Sequence, residues 1–395
     1  MHHAAHAAPP PIPQDVIDRA NGTDIVALAA RYGAPFGDRD NPERGVPCPG
    51  CGGDDRFSCS REKNLFFCRA SGVGGGPIKL VQHVSGVGFR RAVESLTGEG
   101  ALPQPDPAAK ARTEAMNNEY RQKAIRAAWR IWRQARPCGP IVRGYMDRRG
   151  IAIPAAGILA LREIDQHPYW EWSKDQGAFR IIGRAPAMIA AITDGAGALI
   201  GVHQTWIDLS SASGKAEIAD PETGEICDAK KVRGSQRGGR VVLRGPRVPD
   251  EPSPFSRLGT GEGIETVLSW DQCRNEPWTA LWAALNLDNL TGRATEKVRH
   301  PSMVRVDALG RRRRVTCGGP EPDMGDADCL AIPAGTFRSV TFIADGDSDA
   351  FTTECAMARG VRRFKAGDPQ ARTATDWPPP GADWNDVLRQ NGAVR

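Results

Sequence analysis

The chain has 395 residues, enough for two or three domains that each bury a core. Charged residues make up 25% and hydrophobic residues 40%, which is typical of a soluble globular protein. No apolar run approaches the roughly 20 residues that a membrane span needs, so we expect no membrane partner. The net charge of +5 permits a nucleic-acid partner without requiring one.

The N-terminal residues lack the long apolar core of a secretory signal, which predicts a cytoplasmic location. In that compartment, ten cysteines indicate metal ligands or buried thiols before disulfides. Residues 1–13 are rich in Ala, Pro and His and predict a mobile tail. Helical periodicity follows over 14–33, with Thr23 or Asp24 as the N-cap, so residues 1–39 are predicted to form a tail and helix.

A cysteine-rich module is predicted over residues 40–98. In Cys48-Pro-Gly-Cys51, the glycine lets the backbone turn tightly enough for two thiolates to point inward at one Zn²⁺. The second pair is incomplete, because Cys68 is followed three positions later by Ser71, whose neutral hydroxyl is a poor zinc ligand. Cys59 is the nearer alternative for the fourth ligand, and His83 is a more distant one.

This module resembles the N-terminal zinc ribbon of bacterial and phage DNA primases. The resemblance rests on the first cysteine pair, the Arg-Phe-Ser strand at 56–58, the aromatic-Cys strand at 66–68, and a glycine-rich turn before a helix at 78–84. It implies a module that binds Zn²⁺ and contacts single-stranded template. Without metal, the aromatic and aliphatic side chains would have to hold the ribbon together: Phe57, Phe66, Phe67 and Leu80.

Residues 99–112 are rich in Pro and Ala and predict a linker. A long basic helix is expected from about Thr113 to Arg136, followed by strand patterns that continue to about 247. These elements predict an α+β middle domain over 113–250. Near its end, four cations lie among glycines that let them approach phosphates closely, with a flexible basic turn as the alternative: Lys230, Lys231, Arg233 and Arg237.

Two apolar strands of the C-terminal region end in carboxylates and then turn into helices. The first ends at Glu262 and Glu265, and the second at Asp345, Asp347 and Asp349. Because the carboxyl ends of strands meet at one crevice of an open α/β sheet, the two sets are expected to share a site. Such hard oxygen ligands suit Mg²⁺ or Mn²⁺.

An insertion at about 293–333 separates the two motifs. It has the pattern of a hairpin and contains four successive arginines at 311–314. Such a run can neutralise phosphates, or it can form a solvated loop.

The paired acidic motifs resemble the Toprim domain, the catalytic core shared by bacterial primases, topoisomerases and some nucleases. The resemblance covers about 255–390 and implies a Rossmann-like α/β domain over 251–395. It implies metal binding and catalysis by Glu262, Asp345 and Asp347, with Glu262 as general base or additional ligand. Supporting roles are implied for Glu265, Asp349 and Asp386, although Asp349 is equally well explained as a helix N-cap.

Residues 118–247 resemble the domain that precedes Toprim in many phage and plasmid primase-like proteins. In primases that domain supplies a basic wall for template and nucleotide, which implies nucleic-acid binding by the four cations named above. We therefore predict a multidomain protein of α+β and α/β class, comprising zinc ribbon, middle domain and Toprim domain.

Together the resemblances imply a primase of phage or mobile-element type. It would make short RNA primers from ribonucleoside triphosphates on single-stranded DNA, by attack of a hydroxyl on an α-phosphate. The sequence contains no Gly-x-x-x-x-Gly-Lys-Ser/Thr loop, so a replicative helicase would be a separate partner.

Two other functions use the same motifs. A Toprim nuclease needs the same acids, and a non-catalytic replication or recombination mediator would combine a zinc finger with vestigial acids. A strand-passing topoisomerase would need a nucleophilic tyrosine on a companion domain. The four tyrosines all lie outside the Toprim-like region and in no recognisable companion.

Overall fold

The computed structural model describes residues 11–36, 45–98, 103–104, 107–173, 176–246, 253–306 and 312–393. The chain divides into two compact units, Met1–Arg121 and Gln122–Arg395. The expected mixture of helices and strands in more than one compact unit is confirmed. None of the helices within the described ranges combines the length and apolar character that crossing a bilayer requires.

The first unit is built around a small antiparallel sheet. Its elements in chain order are α1 (Gln14–Asn21), α2 (Ile25–Arg31), β1 (Val46–Cys48), β2 (Gly52–Ser60), β3 (Leu65–Cys68), β4 (Val73–Gly75), α3 (Pro77–Ser85) and α4 (Phe89–Leu96). The strands pair in the order β1-β2-β3-β4. Asp24, one of the two residues predicted as an N-cap, caps α2 by accepting hydrogen bonds from the Val26 and Ala27 N–H groups. Residues 1–10 of the tail predicted over 1–13 lie outside the described residues.

The core of the first unit lies between the sheet and α3. Phe57, Phe66 and Leu80 are buried there, as expected for a ribbon held by aromatic and aliphatic packing. Phe67 instead points outward, because alternate residues of a strand face opposite sides of the sheet.

The helix α5 covers Pro107–Gln134 and so begins earlier than the expected Thr113. Proline is well suited to the first position of a helix, which explains the start within the predicted linker.

The second unit first forms an antiparallel sheet. Its elements are β5 (Arg136–Pro137), α6 (Pro140–Arg148), β6 (Leu161–Ser173), β7 (Ala178–Thr193), β8 (Leu199–Trp206), β9 (Ile218–Ala219), β10 (Ile226–Cys227) and β11 (Lys230–Gly234). Five of the strands pair in the order β11-β8-β7-β6-β5. β11 therefore lies at one edge of the sheet, with Lys230 opposite Thr205.

A second sheet, mostly parallel, follows. Its elements and the segments inserted between them are β12 (Val241–Arg244), β13 (Arg257–Gly261), α7 (Ile264–Arg274), β14 (Thr279–Ala283), α8 (Leu287–Thr291), β15 (Lys297–Val306), β16 (Arg312–Gly318), β17 (Ser339–Ile343), α9 (Ala350–Gly367), β18 (Arg372–Asp376) and α10 (Trp384–Ala393). The order is β12-β14-β13-β17-β18, with only β12 antiparallel. β15 and β16 form the hairpin predicted in the insertion.

The two sheets of the second unit share a hydrophobic core. It contains Met188 from β7, Ile264 and Val267 from α7, Ile343 from β17 and Trp384 from α10. This shared core fixes α7 against the antiparallel sheet, so residues of β8 and β11 face the first turn of α7. The boundary predicted near residue 250 between a middle and a C-terminal domain stays a prediction.

Candidate active site and metal centre

Three cysteines and one histidine converge in the first unit. The Sγ atoms of Cys48, Cys51 and Cys68 and a ring nitrogen of His83 all lie within 4.8 Å of one another. His83 Nε2 lies 3.3 Å from Cys48 Sγ and 3.4 Å from Cys51 Sγ, and the Sγ atoms of Cys51 and Cys68 are 3.9 Å apart. Cys48 and Cys51 of the first turn therefore lie next to Cys68, which ends β3, and to His83 in the last turn of α3.

These donors fit a structural zinc ion. With Zn–S bonds of about 2.3 Å and Zn–N bonds of about 2.0 Å, neighbouring ligands of a tetrahedral site lie about 3.5–3.8 Å apart. The observed separations are close to those values, and three thiols with one imidazole are a standard zinc donor set. The arrangement is thus consistent with Zn²⁺ binding.

The fourth donor is His83, and Cys59 is not part of the group. Cys59 is buried in the core, where burial raises the pKa of its thiol to about 12, so it stays protonated and packs as a small apolar side chain. Gly50 allows His83 to reach the site, because a Cβ there would lie 3.2 Å from the His83 carbonyl oxygen and 3.1 Å from Val84 Cα. One sequence signal pointed to His83: it lies three positions after Leu80, at the edge of the buried stripe of α3.

The acidic residues of the second unit lie at the carboxyl ends of two adjacent strands. β13 ends at Gly261, β17 ends at Ile343, and these two residues are paired in register. Both strands run directly into loops that lead to helices, as predicted from the sequence. Glu262 and Asp345 consequently line one cavity of about 310 Å³, together with Asp349.

The loop that carries Asp345 and Asp347 is held closely against the segment before α10. The φ of Gly346 is not in the left-handed region, so no positive-φ turn requires glycine at this position. A Cβ at Gly346 would instead lie 2.5 Å from the Ala382 carbonyl oxygen, so glycine is required by close packing. The Trp384 indole N–H also donates to the Ala344 carbonyl oxygen at 3.1 Å, which fixes the end of β17.

Asp345 and Glu262 are held in an environment that opposes their ionisation. Burial, followed by repulsion from Asp347 and Asp383, raises the pKa of Asp345 to about 6. Burial also raises the pKa of Glu262, with Lys230 acting in the opposite direction. Asp345 Oδ1 is buried without a hydrogen-bond partner. Unpaired carboxylate oxygens of this kind are suited to a hard cation.

The three predicted metal ligands are not drawn together as tightly as the cysteines. Among the described residues, only the Cys48-Cys51-Cys68-His83 group places three or more ligand atoms within 4.8 Å of one another. Asp347 is exposed, whereas Asp345 and Glu262 are partly buried.

The supporting acids have separate structural roles. Asp349 caps α9 through the Thr352 N–H and accepts from His300. Asp386 exchanges hydrogen bonds with Asp383 at the start of α10. Asp383, which the sequence reasoning missed, is the residue of this pair whose charge acts on Asp345.

Glu265 is completely enclosed and bound to two partners. Lys230 Nζ donates to Glu265 Oε2 at 3.0 Å, and the Tyr145 hydroxyl donates to Oε1 at 2.6 Å. Burial opposes ionisation of Glu265, but Lys230 and then Tyr145 hold its pKa well below the usual range. Lys230 also acts electrostatically on Glu262 and Asp345, so it lies beside the acidic cavity.

The other predicted nucleic-acid contacts differ from Lys230. Lys231 donates to Glu171 at 2.6 Å and lies over the Tyr169 ring. Arg237 forms a salt bridge of 3.0 Å with Asp328, and Arg233 is exposed. Of the four cations, Lys230 is the one whose charge acts on both Glu262 and Asp345.

We expect Lys230→Met to lower the free energy of unfolding by about 2–4 kcal/mol, because it leaves the buried Glu265 carboxylate without its cation. Glu265→Gln added to that variant should recover most of the loss. Urea unfolding followed by tryptophan fluorescence measures both. If the two substitutions destabilised the protein additively, the pair would not be energetically linked.

His203 lies next to this pair and gives a pH-dependent prediction. Burial, followed by the Lys230 charge, lowers the pKa of His203 to about 4, and its Nδ1 has no hydrogen-bond partner. The unfolded chain takes up this proton near pH 6.5, so stability is lost as the pH falls from about 6.5 to 4, by up to about 3 kcal/mol.

The variant His203→Gln should flatten this acid limb in urea titrations between pH 7 and pH 4.5. His167, whose pKa burial also lowers, should supply part of the remaining slope. An unchanged limb in the variant would show that His203 is not held neutral by the fold.

Comparison with known proteins finds one family match. Residues 122–243 match the family described as Domain of unknown function (DUF7146). This segment covers the antiparallel sheet and ends within β12.

Solved structures with similarity to the chain include bacterial and phage primase fragments. The zinc-binding and RNA polymerase domains of the Aquifex aeolicus primase are 15% identical, with 97% of this chain and 84% of that chain covered and a TM-score of 0.36. A DNA primase domain from Pseudomonas aeruginosa is 12% identical, with 69% and 77% covered and a TM-score of 0.35. The primase fragment of the bacteriophage T7 primase-helicase protein is 10% identical, with 89% and 96% covered and a TM-score of 0.29. At such TM-scores, function has to be inferred from the site residues.

Proposed function

We propose that the protein is a Toprim-type DNA primase of a phage or mobile element, which makes short RNA primers on single-stranded DNA. The observation that most supports this proposal is the acidic cavity. Glu262 and Asp345 lie at the ends of adjacent parallel strands, and Asp345 presents a buried oxygen without a partner. Ribonucleoside triphosphates are the proposed substrates, and a separate helicase is a proposed partner.

The proposed reaction is a nucleotidyl transfer. The hydroxyl oxygen of one nucleotide forms a bond to the α-phosphorus of the next, and the bond from that phosphorus to the bridging oxygen breaks to release pyrophosphate. Asp345 and Asp347 would hold Mg²⁺ or Mn²⁺. When bound, the ion would supply positive charge to the attacking hydroxyl and to the phosphates.

The protein's own groups have distinct parts in this scheme. Glu262 would accept the hydroxyl proton, a role that suits a carboxylate whose pKa is raised towards neutrality. Lys230, held in place by Glu265, would face the negative charge that develops on the phosphates. The zinc module of the first unit would contact the single-stranded template.

The zinc geometry bears on the choice between functions. An incomplete zinc site at Ser71 would slightly favour the mediator, whose acids would be vestigial, whereas His83 supplies a fourth donor beside the three cysteines. This removes the observation that favoured a non-catalytic role. A Toprim nuclease needs the same acids, so it stays the alternative that an assay must separate.

The test supplies ribonucleotides, Mg²⁺ or Mn²⁺ and single-stranded DNA templates of varied sequence. We expect labelled short products with the wild type and none with Asp345→Ala. Cleavage of the DNA instead would identify a nuclease. Binding of the DNA with neither product would identify a mediator.

A further inference from the structure

The hairpin formed by β15 and β16 is a strongly basic arm, defined here by Lys297–Val306 and Arg312–Gly318. These two strands contain no acidic residue. The cationic side chains that the structure describes on the arm are all exposed: Lys297, Arg299, Arg305, Arg312 and Arg314. None of these five makes a salt bridge with any residue in the described part of the chain.

The outer half of the arm combines cations with exposed apolar groups. Val304 is paired with Arg314 and Val306 with Arg312, so these four side chains share one face of the ribbon. Arg305 lies between the two valines and therefore faces the other side. The cations on the two faces repel one another, because the two strands contain no acid to compensate them. Binding of an external polyanion would remove this repulsion.

The base of the arm is fixed next to the acidic cavity. His300 Nδ1 accepts from the Met303 N–H at 2.7 Å, which leaves Nε2–H to donate to Asp349 Oδ2 at 3.0 Å. Asp349 in turn lines the cavity with Glu262 and Asp345. Just outside the two strands, the buried Arg359 guanidinium donates to the carbonyl oxygen of Gly319, which follows β16, at 2.8 Å and to that of Gly292, which precedes β15, at 2.7 Å.

We propose that this arm binds the phosphodiester backbone of the nucleic acid that enters or leaves the acidic cavity. Its cations follow one another along two strands, as contacts to successive phosphates require, and its anchored base keeps the bound strand beside the carboxylates. Phosphate contacts of this kind position a nucleic acid without reading its sequence. The surface is separate from the proposed catalytic residues, and the inference rests on the proposed function in taking a nucleic acid as the ligand of the cavity.

The test compares Arg305→Gln/Arg312→Gln/Arg314→Gln with a matched triple variant. Three other arginines are also exposed: Arg257, Arg338 and Arg372. They lie at the amino ends of β13, β17 and β18, which is the end of the strands opposite the acidic cavity. Replacing those three by Gln changes the net charge equally. Fluorescence anisotropy with labelled single-stranded DNA and with an RNA–DNA duplex, each over a range of salt, measures affinity and its salt dependence.

For the arm variant we expect affinity to fall by about tenfold or more at low salt. We expect its log–log salt slope to shrink by about 2 for the single strand or by about 3 for a duplex. The ligand whose affinity falls by the larger factor in the arm variant, relative to the matched variant, identifies the bound form. The matched variant should change little. Equal effects in both variants, or no binding by the wild type, would overturn the proposal.

Melting temperature and zinc content, measured on both variants, identify any loss of fold. Because the readout is binding, its outcome is separate from that of primer synthesis. A wild-type protein that bound through the arm but made no primers would contradict only the proposed function.

Discussion

Replacing Asp345 by Asn is expected to abolish primer synthesis and also to raise the melting temperature of the metal-free protein. The pKa of Asp345 is raised to about 6 by burial and by Asp347, so its ionised form is unfavourable in the folded state. A neutral amide of the same shape avoids that cost. After allowance for solvent screening at the cavity edge, we expect a gain of about 1–2 kcal/mol at pH 8.

The sign of the pH dependence follows from the raised pKa. Below about pH 3.8 the carboxyl is protonated in both the folded and unfolded states, so Asp345 costs nothing. As the pH rises, the unfolded chain ionises first, and the cost is complete above about pH 6. The stability advantage of Asp345→Asn should therefore be full at pH 8 and shrink towards zero near pH 4, in thermal melts with EDTA.

The loss of activity should be about 10³-fold or more. A metal ligand contributes several kcal/mol of charge stabilisation to phosphoryl transfer, and each 1.36 kcal/mol corresponds to a factor of ten. Primer synthesis with saturating Mg²⁺ or Mn²⁺ measures the loss. Higher stability with lower activity is the pattern expected where a site holds unfavourable charges for function.

Two further substitutions serve as controls. Asp347 is exposed and supplies only part of the repulsion on Asp345, so Asp347→Asn should lose activity with a smaller rise in melting temperature than Asp345→Asn. Glu225 is exposed and lies away from the strand-end acids in sequence, and Glu225→Gln should change neither property. An active Asp345→Asn protein would exclude Asp345 as a metal ligand. A less stable one would show that its carboxylate has a favourable partner.

The second large effect is expected at His83. His83→Ala removes one of four zinc donors, and we expect zinc content to fall from about one ion per chain to near zero. Because metal binding contributes to folding free energy, the first unit should lose protease resistance at the same time. Elemental analysis of the purified protein and limited proteolysis measure the two effects.

Cys59 and Ser71 make the zinc test specific. Cys59→Ala should keep its zinc, since Cys59 lies outside the donor group. Ser71→Cys added to His83→Ala should restore zinc, because Ser71 stands three positions after Cys68, where the second cysteine of that pair would lie. Full zinc in His83→Ala alone would contradict the assignment of His83. Loss of zinc in Cys59→Ala would return Cys59 to the donor set.

The sequence by itself predicted the features that depend on short stretches of chain. Apolar runs that end in acids predicted the strand-to-helix turns at Glu262 and Asp345, because strand and helix periodicity are local properties. The cysteine pattern predicted that Cys48, Cys51 and Cys68 lie together, and the basic insertion was correctly predicted to be a hairpin. Asp24 was predicted as one of two caps for the same local reason.

Only the tertiary structure decided which distant residues complete each site. His83 is 35 positions from Cys48, and Tyr145 is 120 positions from the Glu265 that it contacts. Lys230 reaches Glu265 because α7 packs on the antiparallel sheet, and Asp383 reaches Asp345 because α10 packs beside β17. These contacts depend on how buried faces pack between elements far apart in the chain, and neither composition nor local periodicity contains that information.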